Sequence, residues 1–258
     1  MSKKPNAFLV PKSVSAMNRF YIPAGDWSDE ELILTGEEAK HCARVMRARE
    51  GDSIEIFDGQ GTSAICRIGS VNRDQVRCHI IKRETSAQAP HPITLCQAIP
   101  KGGNMELIVQ KAVELGVSAI QPLISAHTVA RPDSAEKKCA KWQRIALEAC
   151  KQCGQNRLPI IGKPQPFDTW LSNLEPFETR LVASLDKKAL HLKAHFASQP
   201  PQGSIALLVG PEGDFSAEEY EAAYEAGFQA ISLGDIILRV ETATIFGLSI
   251  LRHELSAS

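Results

Sequence analysis

The sequence predicts an α/β protein: a parallel sheet covered by helices, preceded by a small strand-rich domain. After residue 92, apolar strand-like runs alternate with amphipathic helical segments, which is typical of a parallel sheet buried on both faces. Before residue 84, short runs alternate apolar and polar side chains, as antiparallel strands do. Between them, ETSAQAPHP, residues 84–92, has two prolines and no periodicity, and we interpret it as a linker. The predicted domains are therefore 1–85 and 93–258.

The N-terminal domain is predicted to be a compact β-barrel-like unit with one helix. RFYIP, residues 19–23, has the pattern of a strand. Residues 35–52 have the pattern of a helix, because Thr35 and Glu38 match a capping box and Gly51 stands where a terminating glycine belongs. Three further runs predict antiparallel strands separated by the turns DGQG and NRD: SIEIF, AICRI and VRCHII.

The C-terminal domain is predicted to alternate strand and helix to its end. Its predicted strands are ITLCQAI, SAIQPLIS, RLVAS, SIALLVG and FQAISLG, and its predicted helices span 103–116, 134–154, 216–227 and 242–255. The first of these helices has one apolar face, formed by Met105, Ile108, Val109, Ala112 and Val113. Ser216 and Glu219 match a second capping box.

Composition predicts a cytoplasmic protein without a membrane span. The chain has 258 residues, 43% of them hydrophobic, but no run of about 18 apolar residues. Its seven scattered cysteines predict reduced thiols, and its basic start, broken by Pro11, does not have the pattern of a signal peptide. The net charge of −1 does not favour a nucleic-acid partner. Residues 98–163, however, carry ten Lys or Arg and five Asp or Glu, which fits either a phosphate-contacting face or an ordinary mixed surface.

Several common site patterns are missing from the sequence. Cys150 and Cys153 form a CxxC inside a predicted helix, without a second pair, so a packed helix face explains them better than zinc, and we predict no metal. There is no HExxH, GxSxG, GxGxxG or GK[ST] pattern. A nucleotide-binding oxidoreductase would need a dinucleotide fingerprint of this kind.

Two turns near the C-terminus are the best candidates for a ligand site. VGPEGDF, residues 209–215, and SLGDIILRVETAT, residues 232–244, each follow a strand and precede a helix. Ligands of open α/β sheets bind at such strand ends, and glycines permit close backbone approach. Arg239 and Glu241 stand in an otherwise apolar stretch, so we expect them to be buried and either paired with each other or functional.

The sequences of these two turns resemble the signature of a known family. GPEGDFSAEE followed by LGDIILRVETA resembles the signature of the RsmE family, methyltransferases of the SPOUT superfamily that act on small-subunit ribosomal RNA. The resemblance covers nearly the whole chain and extends through RFYIP, HCARVMRAREGD, QAIPKGGNMELIVQKAVELGV and KWQRIALEACKQCGQNRLP.

The resemblance implies a specific fold and reaction. It implies a C-terminal SPOUT domain with a deep trefoil knot, an N-terminal PUA-like β-barrel that binds RNA, and a homodimer. The methyl donor would be S-adenosyl-L-methionine, and the product 3-methyluridine at position 1498 of 16S rRNA, formed on the 30S subunit. A SPOUT methyltransferase for another RNA nucleoside, for instance one that methylates a ribose 2′-OH, and a non-catalytic RNA-binding or ribosome-assembly factor are the alternatives.

The resemblance also assigns site residues. The cofactor-binding residues would be Ser184, Leu185, Gly210, Glu212, Gly213, Leu233, Gly234, Ile237 and Leu238. The chemistry of methyl transfer to N3 adds a hypothesis of its own: Arg239 would stabilise the developing oxyanion, and Glu241 or Glu212 would accept the proton. The RNA-binding candidates are Arg19, Arg44, Arg47 and Lys101.

The chain departs from the family pattern at three positions. Asp214 replaces a usual glycine, Val240 a usual threonine, and Gln155 a common arginine. Because Asp tolerates the left-handed backbone region better than most residues, we expect the turn at Asp214 to survive.

Overall fold

The computed structural model describes residues 17–129, 135–186 and 188–256. Residues 1–16, which include the basic start and Pro11, lie outside the described residues. The chain divides into two compact units, residues 1–85 and 86–258. Within the described part of the chain, no helix combines the length and the hydrophobicity that a bilayer-spanning segment requires.

The first unit contains one five-stranded sheet in the order β1-β3-β4-β5-β2. Its strands are β1 Arg19–Tyr21, β2 Glu31–Thr35, β3 Ser53–Phe57, β4 Thr62–Val71 and β5 Gln75–Thr85. Strands β1 and β3 are parallel, whereas the other neighbours are antiparallel, which confirms the three predicted antiparallel strands. Strand β5 reaches Thr85, so residues 84 and 85 belong to the strand and not to a linker.

Alternation of apolar side chains builds the core of this unit. Leu32 and Leu34 on β2, like Ile54 and Ile56 on β3, point to one face and are buried. Strand β2 was not among the predicted elements, because the apolar Ile33 between Leu32 and Leu34 interrupts the alternation of apolar and polar residues.

The helix predicted over residues 35–52 is much shorter. It consists of α1 Gly36–Lys40 and one π-helical segment, His41–Val45, and the chain leaves it at Arg47, whose φ is 53°. Thr35 makes no side-chain capping bond, and the Glu38 carboxylate accepts from the backbone N–H of Tyr21 at 3.1 Å. The predicted capping box and the terminating role of Gly51 were therefore wrong.

The second unit is the predicted α/β domain. Its strands are β6 Ile93–Ala98, β7 Ala119–Ile124, β8 Ile160–Ile161, β9 Gln165–Pro166, β10 Thr179–Ala183, β11 Leu190–His191, β12 Ile205–Val209 and β13 Gln229–Ser232. Its helices are α2 Asn104–Glu114, α3 Ala135–Cys153, α4 Phe167–Ser172, α5 Leu192–Ser198, α6 Ala217–Glu225 and α7 Val240–Ser256.

The sheet of this unit is parallel throughout, which confirms the predicted fold class. Its order is β11-β13-β10-β12-β6-β7-β8, with β9 paired to β7. All five residues of β12 are buried, as expected for a central strand covered on both faces. The two-residue strands and the helices α4 and α5 were not predicted, because such short segments carry no periodicity.

Helix boundaries in the second unit follow the sequence signals closely. The predicted apolar face of α2 is buried, and Gly154, with a φ of 88°, follows the last residue of α3. The Ser216 hydroxyl accepts from the N–H of Glu219 at 3.2 Å, and the Glu219 carboxylate accepts from the N–H of Ser216 at 2.9 Å. This reciprocal pair is the predicted capping box of α6.

Candidate functional site

A cleft of about 550 Å³ opens at the carboxyl ends of β10, β12 and β13. It is lined by the loops that follow these strands and by the first residues of α2 and α7. Among the residues predicted from the sequence, the cleft brings together Ser184, Leu185, Gly210, Glu212, Leu233, Gly234, Ile237, Leu238, Arg239 and Glu241. Residues far apart in the chain therefore form one site, because parallel strands end at the same edge of the sheet.

The first wall follows β10. The N–H of Ser184 donates to the carbonyl of Ile231 at 2.9 Å, which ties this loop to β13. The Ser184 hydroxyl accepts from the N–H of Asp186 at 3.1 Å. Leu185 is 60% exposed and presents an apolar surface to the cleft. The wall thus combines a fixed polar backbone with an apolar side chain.

The second wall is the turn after β12. The Glu212 carboxylate accepts from the backbone N–H of Lys101, with distances of 3.0 and 3.2 Å to its two oxygens. Gly213 does not line the cleft; a Cβ at this position would lie 3.0 Å from the Cβ of His127. This glycine therefore allows the turn to pack against the loop that contains His127.

Asp214, the first departure from the family pattern, occupies the left-handed region with a φ of 60°. Its Oδ1 accepts from the hydroxyl of Tyr220 at 2.7 Å and from the N–H of Phe215 at 2.8 Å. The carbonyl of Asp214 lies 2.9 Å from Nδ1 of His127. The turn at Asp214 is thus formed with aspartate at this position, as expected.

The third wall is the segment between β13 and α7. Gly234 has a φ of 122°, a conformation that side chains disfavour. The apolar side chains of Ile236 and Ile237 are largely exposed at the cleft. Exposed apolar groups of this kind suit a flat, apolar part of a ligand.

The expectation that Arg239 is a buried charge was wrong. Its side chain is exposed at the rim of the cleft, because α7 begins at Val240 and leaves Arg239 on the preceding loop. Within the described residues, Arg239 and Glu241 form no ion pair, so the pairing alternative also fails. Glu241 lies in the first turn of α7, with its Oε2 3.5 Å from Nδ2 of Asn104.

The side chains that line the cleft suit a cationic nucleoside better than a phosphate. Glu212, Asp214 and Glu241 place carboxylates around apolar side chains, and Arg239 is the cation among the described lining residues. A sulfonium ion attached to an adenosine needs such acidic groups and an apolar slot for the base. In the part of the chain that the structure describes, no cluster of three or more His, Cys, Asp or Glu side chains is placed to hold a metal ion.

The RNA-binding candidates differ in their availability. The Arg19 side chain is only 7% exposed, pairs with Glu55 at 3.1 Å and stacks on Phe57. It is therefore occupied inside its own unit. Arg44 and Arg47 are exposed at the end of the π-helical segment. Lys101 is exposed beside the cleft, where Glu212 holds its backbone.

Some lining residues were not among the site residues predicted from the sequence: Asn104, Val209, Pro211, Ile236, Val240 and Ala243. Asn104 begins α2 at the end of the loop that follows β6, so the rule that ligands bind at strand ends applies to it as well. The signal for Ile236 is weaker, because it belongs to the apolar run 236–238, and large aliphatic side chains are more often packed than exposed.

Both units match domains of known proteins. Residues 87–252 match the RNA methyltransferase domain, and residues 34–81 match the RNA methyltransferase PUA domain. The ribosomal RNA small subunit methyltransferase E of Bacillus subtilis is 33% identical over 248 residues, which cover 92% of this chain and 97% of that protein. The protein of the same name from Aquifex aeolicus is 33% identical over 226 residues, covering 86% and 94%.

Solved structures agree with these matches. The ribosomal RNA small subunit methyltransferase E of Neisseria gonorrhoeae, bound to S-adenosyl methionine, superposes with a TM-score of 0.83 at 35% identity and covers 92% of this chain and 97% of its own. A methyltransferase from Legionella pneumophila in complex with the same cofactor has a TM-score of 0.82 at 33% identity, with coverage of 92% and 97%. By domain content, sequence and structure, the chain belongs to the ribosomal RNA small subunit methyltransferase E family.

Proposed function

We propose that this protein transfers a methyl group from S-adenosyl-L-methionine to N3 of a uridine in small-subunit ribosomal RNA. The family resemblance specifies this base as uridine 1498 of 16S rRNA, and we propose the 30S subunit as substrate. The observation that carries the proposal is the cleft formed by the loops after β10, β12 and β13, at the carboxyl edge of the sheet. Relatives with TM-scores of 0.83 and 0.82 bind this methyl donor.

The cofactor would be held by backbone and apolar groups. Leu185, Leu233, Ile237 and Leu238 would enclose the adenine, and Gly210, Ser184 and Gly234 would offer backbone groups to the ribose and the amino-acid tail. When bound, S-adenosylmethionine supplies a methyl group that its sulfonium has already activated. The protein therefore needs only to align this methyl group with the acceptor and to exclude water.

The uracil is the less reactive of the two substrates, because its N3 carries a proton at neutral pH and is a poor nucleophile. We assign Arg239 to stabilise the negative charge that develops on the uracil oxygens, since its guanidinium carries a fixed fork of donors at the exposed rim. Glu241, which lines the cleft from the first turn of α7, accepts the N3 proton in this assignment. Glu212 suits this role less well, because its carboxylate already holds the N–H of Lys101.

RNA must reach the cleft with its target base unpaired, because N3 lies on the pairing edge. We propose that Lys101 contacts RNA beside the cleft and that Arg44 and Arg47 contact it from the first unit. Single-stranded or splayed segments are bound in this way, by phosphate contacts and stacking. Binding to RNA should therefore weaken as salt increases.

The remaining features of the family are part of the same proposal. The first unit would be a closed PUA-like barrel covering residues 1–85, and residues 93–258 would form the methyltransferase domain. A trefoil knot in the second unit is supported by α7, which packs against α2 and β12 although β13 lies beyond β10 in the sheet. Exposed apolar side chains at Ile236 and Phe246 support a homodimer.

Mass spectrometry of rRNA tests the proposal directly. The purified protein and S-adenosylmethionine are incubated with 30S subunits from a strain that lacks the modification, and with the naked 16S rRNA. We expect one 3-methyluridine, at position 1498, with 30S subunits as the better substrate. Cofactor binding without methyl transfer would instead identify a non-catalytic assembly factor, and a methyl group on a ribose would identify a different SPOUT activity.

A further inference from the structure

We propose that Tyr220 is a positioning residue that clamps the first and second walls of the cofactor cleft together. This inference rests on the proposed function, because it assigns to Tyr220 an effect on S-adenosylmethionine affinity. The Tyr220 hydroxyl lies 2.7 Å from Oδ1 of Asp214 and 3.2 Å from the carbonyl oxygen of Ala183. Tyr220 itself is on α6 and does not line the cleft.

The two partners of Tyr220 belong to different walls. Ala183 is the last residue of β10 and leads directly into Ser184 and Leu185, whereas Asp214 is in the turn after β12. Both line the cleft. One hydroxyl group therefore connects two loops that would have to close on the same ligand.

The hydrogen bond to Asp214 is the stronger of the two contacts. A tyrosine hydroxyl has one hydrogen, and the shorter distance and the charge of the carboxylate direct it mainly to Oδ1 of Asp214. The carbonyl of Ala183 is also an acceptor, so it receives the weaker branch of the same bifurcated hydrogen bond. Burial and the neighbouring Asp214 carboxylate raise the pKa of Tyr220 well above its ordinary value, so the hydroxyl keeps its proton and remains a donor at neutral pH.

Tyr220 is a rigid anchor for these loops. Its ring packs edge-on against Phe215, with 5.6 Å between the centroids and an interplanar angle of 87°. It stands in the second turn of α6, whose start is fixed by the capping box of Ser216 and Glu219. Because Tyr220 is held by core and helix, the loops it contacts are ordered before the ligand arrives.

If Tyr220 orders the two loops before the ligand binds, it should increase the affinity for S-adenosylmethionine. A loop that must be ordered on binding subtracts that cost from the binding free energy, and a pre-ordered loop avoids it. The carboxylate of Asp214 is held on the same network although its backbone has a φ of 60°, which a non-glycine residue adopts at a cost. The clamp thus retains a strained turn in the geometry that the cleft requires.

The test is the variant Tyr220→Phe, which removes the hydroxyl and keeps the ring. Isothermal titration calorimetry with S-adenosylmethionine should show a Kd about tenfold higher than that of the wild type, which corresponds to about 1.4 kcal/mol. The KM for the donor should rise by a similar factor, while kcat at saturating donor should stay within about twofold of wild type. A residue that only maintained the fold would not produce this separation of KM from kcat.

Two variants on the same helix serve as controls. Tyr224 stacks on Tyr220 with 5.9 Å between the ring centroids, and its hydroxyl makes no hydrogen bond to any described residue, so Tyr224→Phe should leave the Kd unchanged. Ala223 is buried in α6, and Ala223→Gly should lower the melting temperature without changing the Kd. If Ala223→Gly weakened binding as much as Tyr220→Phe, loss of stability would explain both and the clamp would be refuted.

A double-mutant cycle identifies the partner. Asp214→Gly removes the acceptor and permits the positive φ, so Tyr220→Phe should have less than a twofold effect on the Kd in that background. A Kd for Tyr220→Phe within twofold of wild type in the native background would refute the inference alone. A wild-type protein that binds no S-adenosylmethionine would instead refute the proposed function.

Discussion

Arg239 shows how far the position of one residue changes its interpretation. As a buried charge it would have needed a partner, and pairing with Glu241 would have made it a structural element of the turn. At the exposed rim it has no such partner among the described residues, and its donors are available to a substrate. Asp214 is the opposite case, because its carboxylate is already used by Tyr220 and Phe215.

Replacement of Arg239 by alanine should therefore affect chemistry more than cofactor binding. We expect methyl transfer by Arg239→Ala to fall at least about tenfold, because the charge on the uracil oxygens loses its donor, while the Kd for S-adenosylmethionine stays within about twofold. Single-turnover methylation and calorimetry measure the two quantities. Arg144→Ala, which removes an exposed arginine of α3 outside the cleft, is the matched control. Unchanged turnover in Arg239→Ala would remove this residue from the mechanism.

Buried hydrogen bonds between β6, β12 and α7 support the cleft. The fully buried Gln97, on β6, donates through its Nε2 to the carbonyl of Ala98 at 2.9 Å and approaches that of Val209, at the end of β12, at 3.3 Å. The hydroxyl of the equally buried Thr244, on α7, lies 2.6 Å from Oε1 of Gln97. A side-chain network thus joins two central strands to the helix that follows the third wall.

Removal of the Thr244 hydroxyl should destabilise the second unit. Thr244→Val keeps the shape but leaves Oε1 of Gln97 buried without a donor, which should lower the free energy of unfolding by about 1–3 kcal/mol. Urea denaturation measures the change. Ser249→Ala on the same helix removes a hydroxyl whose one partner among the described residues is the carbonyl of Ile245, one turn earlier, and should have a smaller effect. Equal effects of the two substitutions would contradict the proposed importance of the Gln97 network.

Helix α5 contains a buried histidine that should make stability depend on pH. Burial lowers the pKa of His195 below its ordinary value of 6.5. Below pH 6.5 the imidazole is protonated in the unfolded chain but stays neutral in the folded chain. The free energy of unfolding should therefore decrease as the pH falls from 7 to about 5.5. Urea midpoints across this range should fall less in His195→Gln than in wild type. His191→Gln, at an exposed histidine beside α5, should retain the full wild-type dependence.

At the scale of the whole molecule, two units divide the expected tasks. The first unit matches a PUA domain over residues 34–81, and the second unit carries the cleft. Both have their own buried cores, to which the cysteines contribute: Cys42, Cys66 and Cys78 are buried in the first, and Cys96, Cys139 and Cys150 in the second. Burial raises the pKa of Cys42 and Cys66 to about 11 and that of Cys78 to about 12.

The thiols should therefore report on the integrity of both cores. At pH 8 the native protein should react rapidly with a disulfide reagent at about one thiol, Cys153, because the other cysteines are buried and thiolate is the reactive form. After unfolding in guanidinium, all seven should react. Cys153→Ser should abolish the rapid phase. A rapid phase of several thiols in the native protein would mean that one core opens readily.

The fold could be predicted where the signal is local or repeated. The capping box of Ser216 and Glu219 formed because both residues lie within one helical turn, and the apolar strands of the second unit formed the expected parallel sheet. The same local pattern failed at Thr35 and Glu38, where the N–H of Tyr21, 17 residues away, bonds the carboxylate of Glu38. Contacts from distant residues cannot be read from a local pattern.

The alternation of strand and helix, the two glycine-containing turns near the C-terminus and, through them, the family could all be predicted from the order of the residues. Three features became visible only in the folded chain: Arg239 is exposed, Gly213 packs against His127 instead of lining the cleft, and the Tyr220 hydroxyl contacts both Ala183 and Asp214. The two groups of features differ in how far apart in the sequence the interacting residues are. Periodicity and capping depend on neighbours a few residues apart, whereas exposure and hydrogen bonding in the cleft depend on strands that meet only when the sheet is assembled.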